Sequence, residues 1–515
     1  MPFMKRILLQ LVAIYFGLYG CATLPKGYER SESFALPAVE GSDLQNEART
    51  ILPTPNGEDA ILLLGNGINA FAARALLAEQ AQTTIDAQYY LLHNDMAGKL
   101  FIAKLVQASQ RGVRVRLLVD DMDLAGRDLG AASLDALPNF EVRIFNPFSR
   151  NINRFTQFLT RFGHVTRRMH NKTFIVDNTF AVVGGRNIGD EYFEAHADVD
   201  FLDLDAMCTG DVVQDVSYQF DAYWNSELAY PISVLHTGPP HSTETTLSMA
   251  LDPLTEAQNQ PFLQKVSDSK LMNVPLSTQP FKTGNARAVF DLPEKIADTE
   301  GRRELMLSTS IHGDLSNIRK ELLLVSPYFV PGRDGVKYFK QLVENNVRVR
   351  ILTNSLMSND VPIVHAGYAK YRKNLLRAGV ELYELKPADP DRDINFAGLK
   401  GSSKASLHAK TFIIDDEKVF VGSLNIDPRS FAQNTEVGLM IDSPDIADEL
   451  KQGVEKTLET KAYTVRLITD SDGVERLRWD APGTNSKTYR SDPHSSFIQR
   501  FGIGLLGILP IESQL

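Results

Sequence analysis

The stretch "HNKTFIVDNTFAVVGGRN" runs from His170 to Asn187, and 238 residues later "HAKTFIIDDEKVFVGSLN" runs from His408 to Asn425. A histidine, a lysine, an aspartate, a glycine and an asparagine recur at identical spacing. In each copy an apolar run, "KTFIVD" or "KTFIID", is followed by a second, "AVVGG" or "VFVGS", which predicts two successive strands. Side-chain direction along a strand has a period of two, so His170 and Lys172 share a face, as do His408 and Lys410. Asp177 and Asp415 fall seven residues beyond their histidines, where the chain turns.

The repeat extends outward from the motif. Upstream stand "TTIDAQYYLLHND" and "KELLLVSPYFVPG", which place Tyr89 and Tyr90 against Tyr328 and Phe329 at an offset of 239 residues. Next come "RGVRVRLLVDD" and "NNVRVRILTNS", where Val113, Val115 and Leu117 match Val347, Val349 and Ile351 at an offset of 234. A unit of strand, helix, strand and two further strands, written twice, predicts an α/β fold with helices packed on sheets. Such a long period excludes a solenoid and implies an internal duplication. The expected architecture is two tandem, pseudo-twofold-related α/β sandwich domains with one shared active site. The expected boundaries are 57–235 for the first domain, 236–283 for a Pro/Ser/Thr/Gln-rich linker or insertion, and 284–515 for the second.

Two imidazoles and two ammonium groups brought into one pocket suit a phosphate. Lys172 and Lys410, with Asn187 and Asn425, are placed to hold non-bridging oxygens while charge builds up on them. Two histidines on opposite sides of a phosphodiester suit in-line displacement: one neutral and attacking phosphorus, the other protonating the departing oxygen. An unperturbed imidazole titrates near ~6.5, which makes both forms accessible near neutrality. The sequence carries no Cys/His cluster with zinc spacing and no Gly-rich nucleotide loop, so neither a metal nor a cofactor is expected.

On these residues the chain resembles the phospholipase D superfamily, whose signature His-x-Lys-x4-Asp-x6-Gly-x2-Asn both copies satisfy. In the second copy Gly422, Ser423 and Asn425 follow the family form, whereas in the first Gly185 stands where the family has serine. The resemblance implies catalytic roles for His170, Lys172, Asp177, His408, Lys410 and Asp415, with the two aspartates in support. It implies phosphate-binding or supporting roles for Asn187, Ser423 and Asn425. A family carboxylate 28 residues past each motif histidine orients the imidazole, which points to Asp198 and Glu436. Tyr89, Tyr90, Tyr328 and Phe329 read as core or pocket wall. His93, His164, His196 and His365 have no repeated partner and are left out of the site.

The 515 residues are 43% hydrophobic and 23% charged, ordinary globular material for two or three domains. A formal charge of -10 argues against a general nucleic-acid binder, because affinity for a polyanion comes largely from Lys and Arg. The start, "MPFMKRILLQLVAIYFGLYGCATLP", has Lys5 and Arg6, an apolar run from Ile7 to Tyr19, and Gly20 before Cys21. That layout predicts a signal peptide over 1–20, lipidation of Cys21 and a tether over 21–56. The alternative is an uncleaved anchor, for which the run falls short of the ~20 residues a membrane helix needs. Lipidating Cys21 leaves only Cys208, so no structural disulfide is expected.

Three features favour membrane phospholipids as partners, with an accessory protein left open: the Cys21 tether, the stretch from Ile152 to Arg168, and the apolar ending "FIQRFGIGLLGILPIESQL". In the second, Phe155, Phe158, Leu159 and Phe162 fall at helical spacing among Arg154, Arg161, Arg167 and Arg168, a basic amphipathic pattern suited to an anionic interface. Within the superfamily the twin motifs, length and ending are most similar to bacterial C-type cardiolipin synthases. That resemblance implies phosphatidyl transfer through a phosphohistidine to phosphatidylglycerol, in a lipoprotein of the bacterial envelope facing the periplasm. Hydrolytic phospholipase D is the second reading, a nuclease the third, and a non-catalytic lipid-binding lipoprotein the fourth.

Overall fold

The computed structural model describes residues 24–53, 57–195, 200–387, 405–483 and 487–508. The expectations for residues 1–20, Cys21, His196 and Asp198 lie outside them. The first half contains β1 (Asp59–Leu64), β2 (Thr84–Tyr89), β3 (Arg114–Asp120), β4 (Phe140–Phe145), β5 (Thr173–Val176), β6 (Phe180–Gly184), β7 (Asp200–Leu202), β8 (Asp205–Thr209) and β9 (Ala229–Pro231). The second contains β10 (Lys282–Phe290), β11 (Glu321–Val325), β12 (Arg348–Asn354), β13 (Glu381–Leu385), β14 (Ala405–Leu407), β15 (Lys410–Ile414), β16 (Lys418–Gly422), β17 (Val437–Asp442), β18 (Ala462–Thr469) and β19 (Glu475–Asp480).

Pairing repeats between the halves. The first runs β1-β8-β6-β5-β2-β3-β4-β9 and the second β10-β17-β16-β15-β11-β12-β13-β18. In each, the three strands after β5 or β15 are parallel to one another and the other pairs are antiparallel. Antiparallel pairing of β1 with β10, Ala60 opposite Thr283, joins the halves edge to edge.

The motif strands are buried on both faces, which is why they read as continuous apolar runs instead of alternating with polar residues. Phe174 and Val176 point into a core with the first-half helices, and Phe412 and Ile414 into the matching core of the second half. Ile175 and Ile413 face the other way, into one core shared by both halves. The helices Val212–Trp224 and Pro444–Lys461 contribute Phe220, Trp224, Ile446 and Val454 to that shared core.

Residues 236–283, expected as a linker or insertion, carry the helices Thr243–Leu251 and Gln260–Ser267, which pack on the first half with Phe262 buried against Phe71. The segment after Cys21 is not a loose tether, because Arg143 and Arg116 donate to the Ser31 and Ser33 carbonyls and the Ala35 amide donates to Asp221. The aromatic pairs are also out of register by two residues. The bridges Leu92–Ile188 and Phe329–Ile426 make Leu92, and not Tyr90, the counterpart of Phe329. Tyr89 is core, bonded through its hydroxyl to Arg74 Nε, whereas Tyr90 faces the site.

Candidate active site

The residue before each motif histidine is clamped by the C-terminal end of a parallel strand. Asp120 at the end of β3 accepts from the Met169 amide at 3.0 Å, and Asn354 at the end of β12 accepts from the Leu407 amide at 3.0 Å. Each histidine backbone is also stitched to the opposite half. The His170 amide donates to the Thr435 carbonyl and the His408 amide to the Leu202 carbonyl, both at 2.8 Å. β14 and β7 pair in parallel across the same junction, Leu407 opposite Leu202.

Those crossing segments lead directly into the orienting carboxylates. His170 Nδ1 lies 2.8 Å from Glu436 Oε2, and His408 Nδ1 lies 2.6 Å from Asp203 Oδ2. Each imidazole thus takes its carboxylate from the other half, and neither half holds a complete site. Donation from Nδ1 to the carboxylate fixes the tautomer and turns Nε2 toward the pocket, where Lys410 Nζ lies 3.0 Å from Nε2 of His408. Glu436 fills the position expected of it, with Ser423 Oγ donating to its Oε2 at 2.5 Å. In the first half the role falls to Asp203, five residues beyond Asp198. Sequence offset missed it because the two halves differ in length between motif and carboxylate.

Gly185 explains the departure from the family pattern. A Cβ there would lie 2.2 Å from Asp203 Oδ1, so the serine found in the second copy has no room in the first. One half uses a longer Glu steadied by a serine hydroxyl; the other uses a shorter Asp seated against bare backbone.

Asp177 and Asp415, grouped with the catalytic residues by the resemblance but expected in support, lie away from both imidazoles and bond to backbone amides at a turn. Asp177 accepts from the amides of Gln82, Thr83 and Thr84, and Asp415 from those of Arg319, Lys320 and Glu321. Both sit in left-handed backbone at the hairpin turn, φ 50° and 56°, a region Asp and Asn tolerate. They tie the turn to the start of the neighbouring strand. Asn187 is also committed elsewhere: its Nδ2 donates to the Tyr192 hydroxyl at 2.9 Å and its Oδ1 accepts from the Leu91 amide. Asn425 differs, since its buried Oδ1 has no hydrogen-bond partner among the described residues.

Electrostatics divides the two histidines. Burial, then the charges of Lys172, Lys410 and His408, hold His170 well below the usual imidazole range. Burial and Lys410 also lower His408, but Asp203 opposes them. His408 and Lys410 keep the Asp203 carboxyl below the usual carboxylate range despite its burial. Burial pushes Glu436 up to about 7. It lowers Lys172 well below the usual range and Lys410 to about 8, and an anion bound between them favours the charged form of both.

The walls are aromatic, and sequence pattern had not singled most of them out. Tyr90 packs its edge on His170, with ring centroids 5.0 Å apart, while Tyr192 and Phe201 flank His408 at 5.2 and 5.1 Å. His93, unrepeated and therefore set aside, braces this wall. Its ring bridges Asp123 Oδ2 at 2.7 Å and Glu191 Oε1 at 3.1 Å, next to Tyr192, and these carboxylates raise it to about 10.

A family signature described as cardiolipin synthase, PLD-like domain, matches residues 76–224 and 312–458, one copy on each half. The chain belongs to the phospholipase D superfamily. It is 39% identical over 459 residues to cardiolipin synthase C of Escherichia coli K12, covering 88% of this chain and 96% of that one. It is 25% identical over 421 residues to cardiolipin synthase A of Pseudomonas putida, covering 81% and 71%. The solved phosphatidylserine synthase of Haemophilus influenzae shares the fold, with a TM-score of 0.55 at 14% identity over 81% of this chain and 92% of that one.

The basic amphipathic stretch before the first motif is largely turned inward. Arg168 is buried against Asp120, Arg154 pairs with Asp121 and donates to the Met122 carbonyl, and Arg167 donates to carbonyls of Lys295, Ile296 and Asp298. Phe158 packs on Phe148, which leaves Phe155 as the outward phenylalanine of the Arg154–Thr160 helix, 72% exposed.

Proposed function

We propose that the protein is a phosphatidyltransferase of cardiolipin synthase type, which moves a phosphatidyl group through a phosphohistidine on His170 to the hydroxyl of phosphatidylglycerol. The observation that carries the roles is the unequal setting of the two imidazoles. His170 is held neutral, so its Nε2 lone pair is available for attack; His408, against an ionised Asp203, is the better proton carrier. In the first step Nε2 of His170 bonds to phosphorus, the bond to the leaving oxygen breaks, and His408 gives that oxygen its proton. In the second the acceptor hydroxyl returns a proton to His408, its oxygen bonds to phosphorus, and the phosphorus–nitrogen bond breaks.

Lys172 and Lys410 stabilise the non-bridging oxygens, and the phosphate charge in turn restores their protonation. The lipid substrates come from the likeness to cardiolipin synthases, since water would fit the same charge balance. One phosphodiester is exchanged for another, so no nucleotide energy is needed. Incubating the purified protein with phosphatidylglycerol should yield cardiolipin and glycerol. Phosphatidic acid as sole product under every lipid mixture would make it a hydrolytic phospholipase D.

The membrane tether is proposed at Cys21. Labelled palmitate should enter the wild type and not Cys21→Ser, and equal labelling would remove the lipoprotein reading. Among the described residues no helix is long and apolar enough to cross a membrane.

A further inference from the structure

The Phe497–Ile508 helix is apolar except for Gln499 and Arg500, and among the described residues protein covers it on one side. Ile503 and Leu506 pack on Leu356 and Ala366, the latter in the Pro362–Ala369 helix. Phe497, Ile498, Phe501 and Leu505 point outward, 74%, 79%, 65% and 59% exposed. At 100° per residue these four fall within one arc of about 100°. Among the described residues four of the exposed large hydrophobic side chains stand on this one twelve-residue helix, an arrangement that marks a contact surface.

We propose that this helix is an interfacial membrane-docking element that seats the site's mouth on an anionic bilayer. Charge favours lipid as the occupant. The segment from 487 to 508 carries Lys487, Arg490 and Arg500 and a single acid, Asp492, which is consumed inside by Arg372 and His365. An outward apolar stripe on a segment where Lys487, Arg490 and Arg500 outnumber Asp492 and Glu512 matches acyl chains beneath anionic headgroups.

Placement agrees with charge. The helix rests on Leu356 and Ala366, just beyond the end of β12, whose Asn354 clamps the residue before His408. Between them lies Asp360, which accepts from the Tyr328 hydroxyl at 2.8 Å and whose charge is felt by His408. In the other half Phe155 projects from a helix anchored on Asp121, just beyond Asp120, the clamp for Met169. Exposed apolar side chains thus follow the site-forming strand end in both halves. The docking rests on the proposed lipid substrate for its purpose, but its test does not require turnover.

In the full chain with Cys21→Ser, Ile498→Cys supplies an accessible thiol for a polarity-sensitive fluorophore, Cys208 being buried. Vesicles of phosphatidylglycerol and phosphatidylcholine should shift its emission to the blue, and spin-labelled lipid should quench it. A label at Met249→Cys, exposed on the Thr243–Leu251 helix of the first half, should show neither change. Absence of both effects at 498, or equal effects at 249, would overturn the proposal. A blue shift that follows protein concentration without vesicles would overturn it in favour of a second copy of this chain. Phe501→Gln with Leu505→Gln should cut turnover on vesicles about tenfold and leave turnover of a soluble short-chain diester unchanged; an equal fall on both substrates would contradict docking. If cardiolipin synthesis itself fails to appear, the quenching at 498 still decides the surface.

Discussion

His408 of the second half and Asp203 of the first meet at 2.6 Å, Nδ1 to Oδ2, just as His170 of the first half meets Glu436 of the second at 2.8 Å. The site is therefore an obligate product of the junction between the halves. Asp203→Asn should preserve the fold and remove the charge that fixes the His408 tautomer. Steady-state turnover should fall on the order of 10²- to 10⁴-fold, the scale of losing such a carboxylate from a serine-hydrolase triad. An unchanged rate would remove Asp203 from the mechanism.

Gly185→Ser gives the first motif the family residue, yet it should damage the enzyme. The new Cβ would lie 2.2 Å from Asp203 Oδ1 and displace it. Overpacking of this kind costs about 1–3 kcal/mol, which a denaturation midpoint should detect along with loss of activity. A variant as active as the wild type would show that Asp203 can orient His408 from elsewhere.

The motif aspartates should separate stability from catalysis. Asp177 is buried and accepts three backbone amides, so Asp177→Ala should destabilise by about 3 kcal/mol. Asp415 makes the matching bonds at a more solvated turn, and its loss should cost about 1 kcal/mol. The folded fraction of each variant should turn over within about twofold of the wild type, because neither carboxylate touches the reacting centre. A large drop in kcat with full stability would return them to the catalytic group.

Two pKa shifts set the expected pH response. Lys410 is lowered to about 8, so the free enzyme should lose activity as pH rises through that value and the ammonium deprotonates. Glu436 is raised to about 7 from an ordinary 4.5. A group raised on folding contributes stability below its unfolded value and loses it as pH climbs through the folded one, here between about 4.5 and 7. Glu436→Gln should flatten that part of the stability profile. An identical profile in the variant would assign the pH dependence to other groups.

The sequence made the duplicated motif, the α/β unit and the pairing of two half-sites legible because strand period and motif spacing are local signals. His170, Lys172, His408 and Lys410 could be placed on shared faces from that period alone. Asp203 could not, since its role depends on the unequal length between motif and carboxylate in the two halves and on the room left by Gly185. The inward turn of Arg154, Arg167 and Arg168 was hidden for a related reason: helical spacing shows an amphipathic pattern but not the Asp121 and Asp120 that meet Arg154 and Arg168, nor the second-half carbonyls that meet Arg167. Composition left residues 236–283 open between linker and insertion, because Ser and Thr both loosen loops and cap helices, as Ser242 does for Thr243–Leu251.

In the proposed mechanism the two halves share one covalent step, with His170 attacking and His408 carrying the proton. Its most direct measurement is intact-protein and peptide mass spectrometry after brief incubation with phosphatidylglycerol. His408→Ala should accumulate one phosphatidyl group on the peptide containing His170, because deprotonation of the acceptor is slowed, and His170→Ala should carry none. An adduct on His408 in His170→Ala would reverse the roles, and the absence of any adduct in both variants would contradict the covalent mechanism.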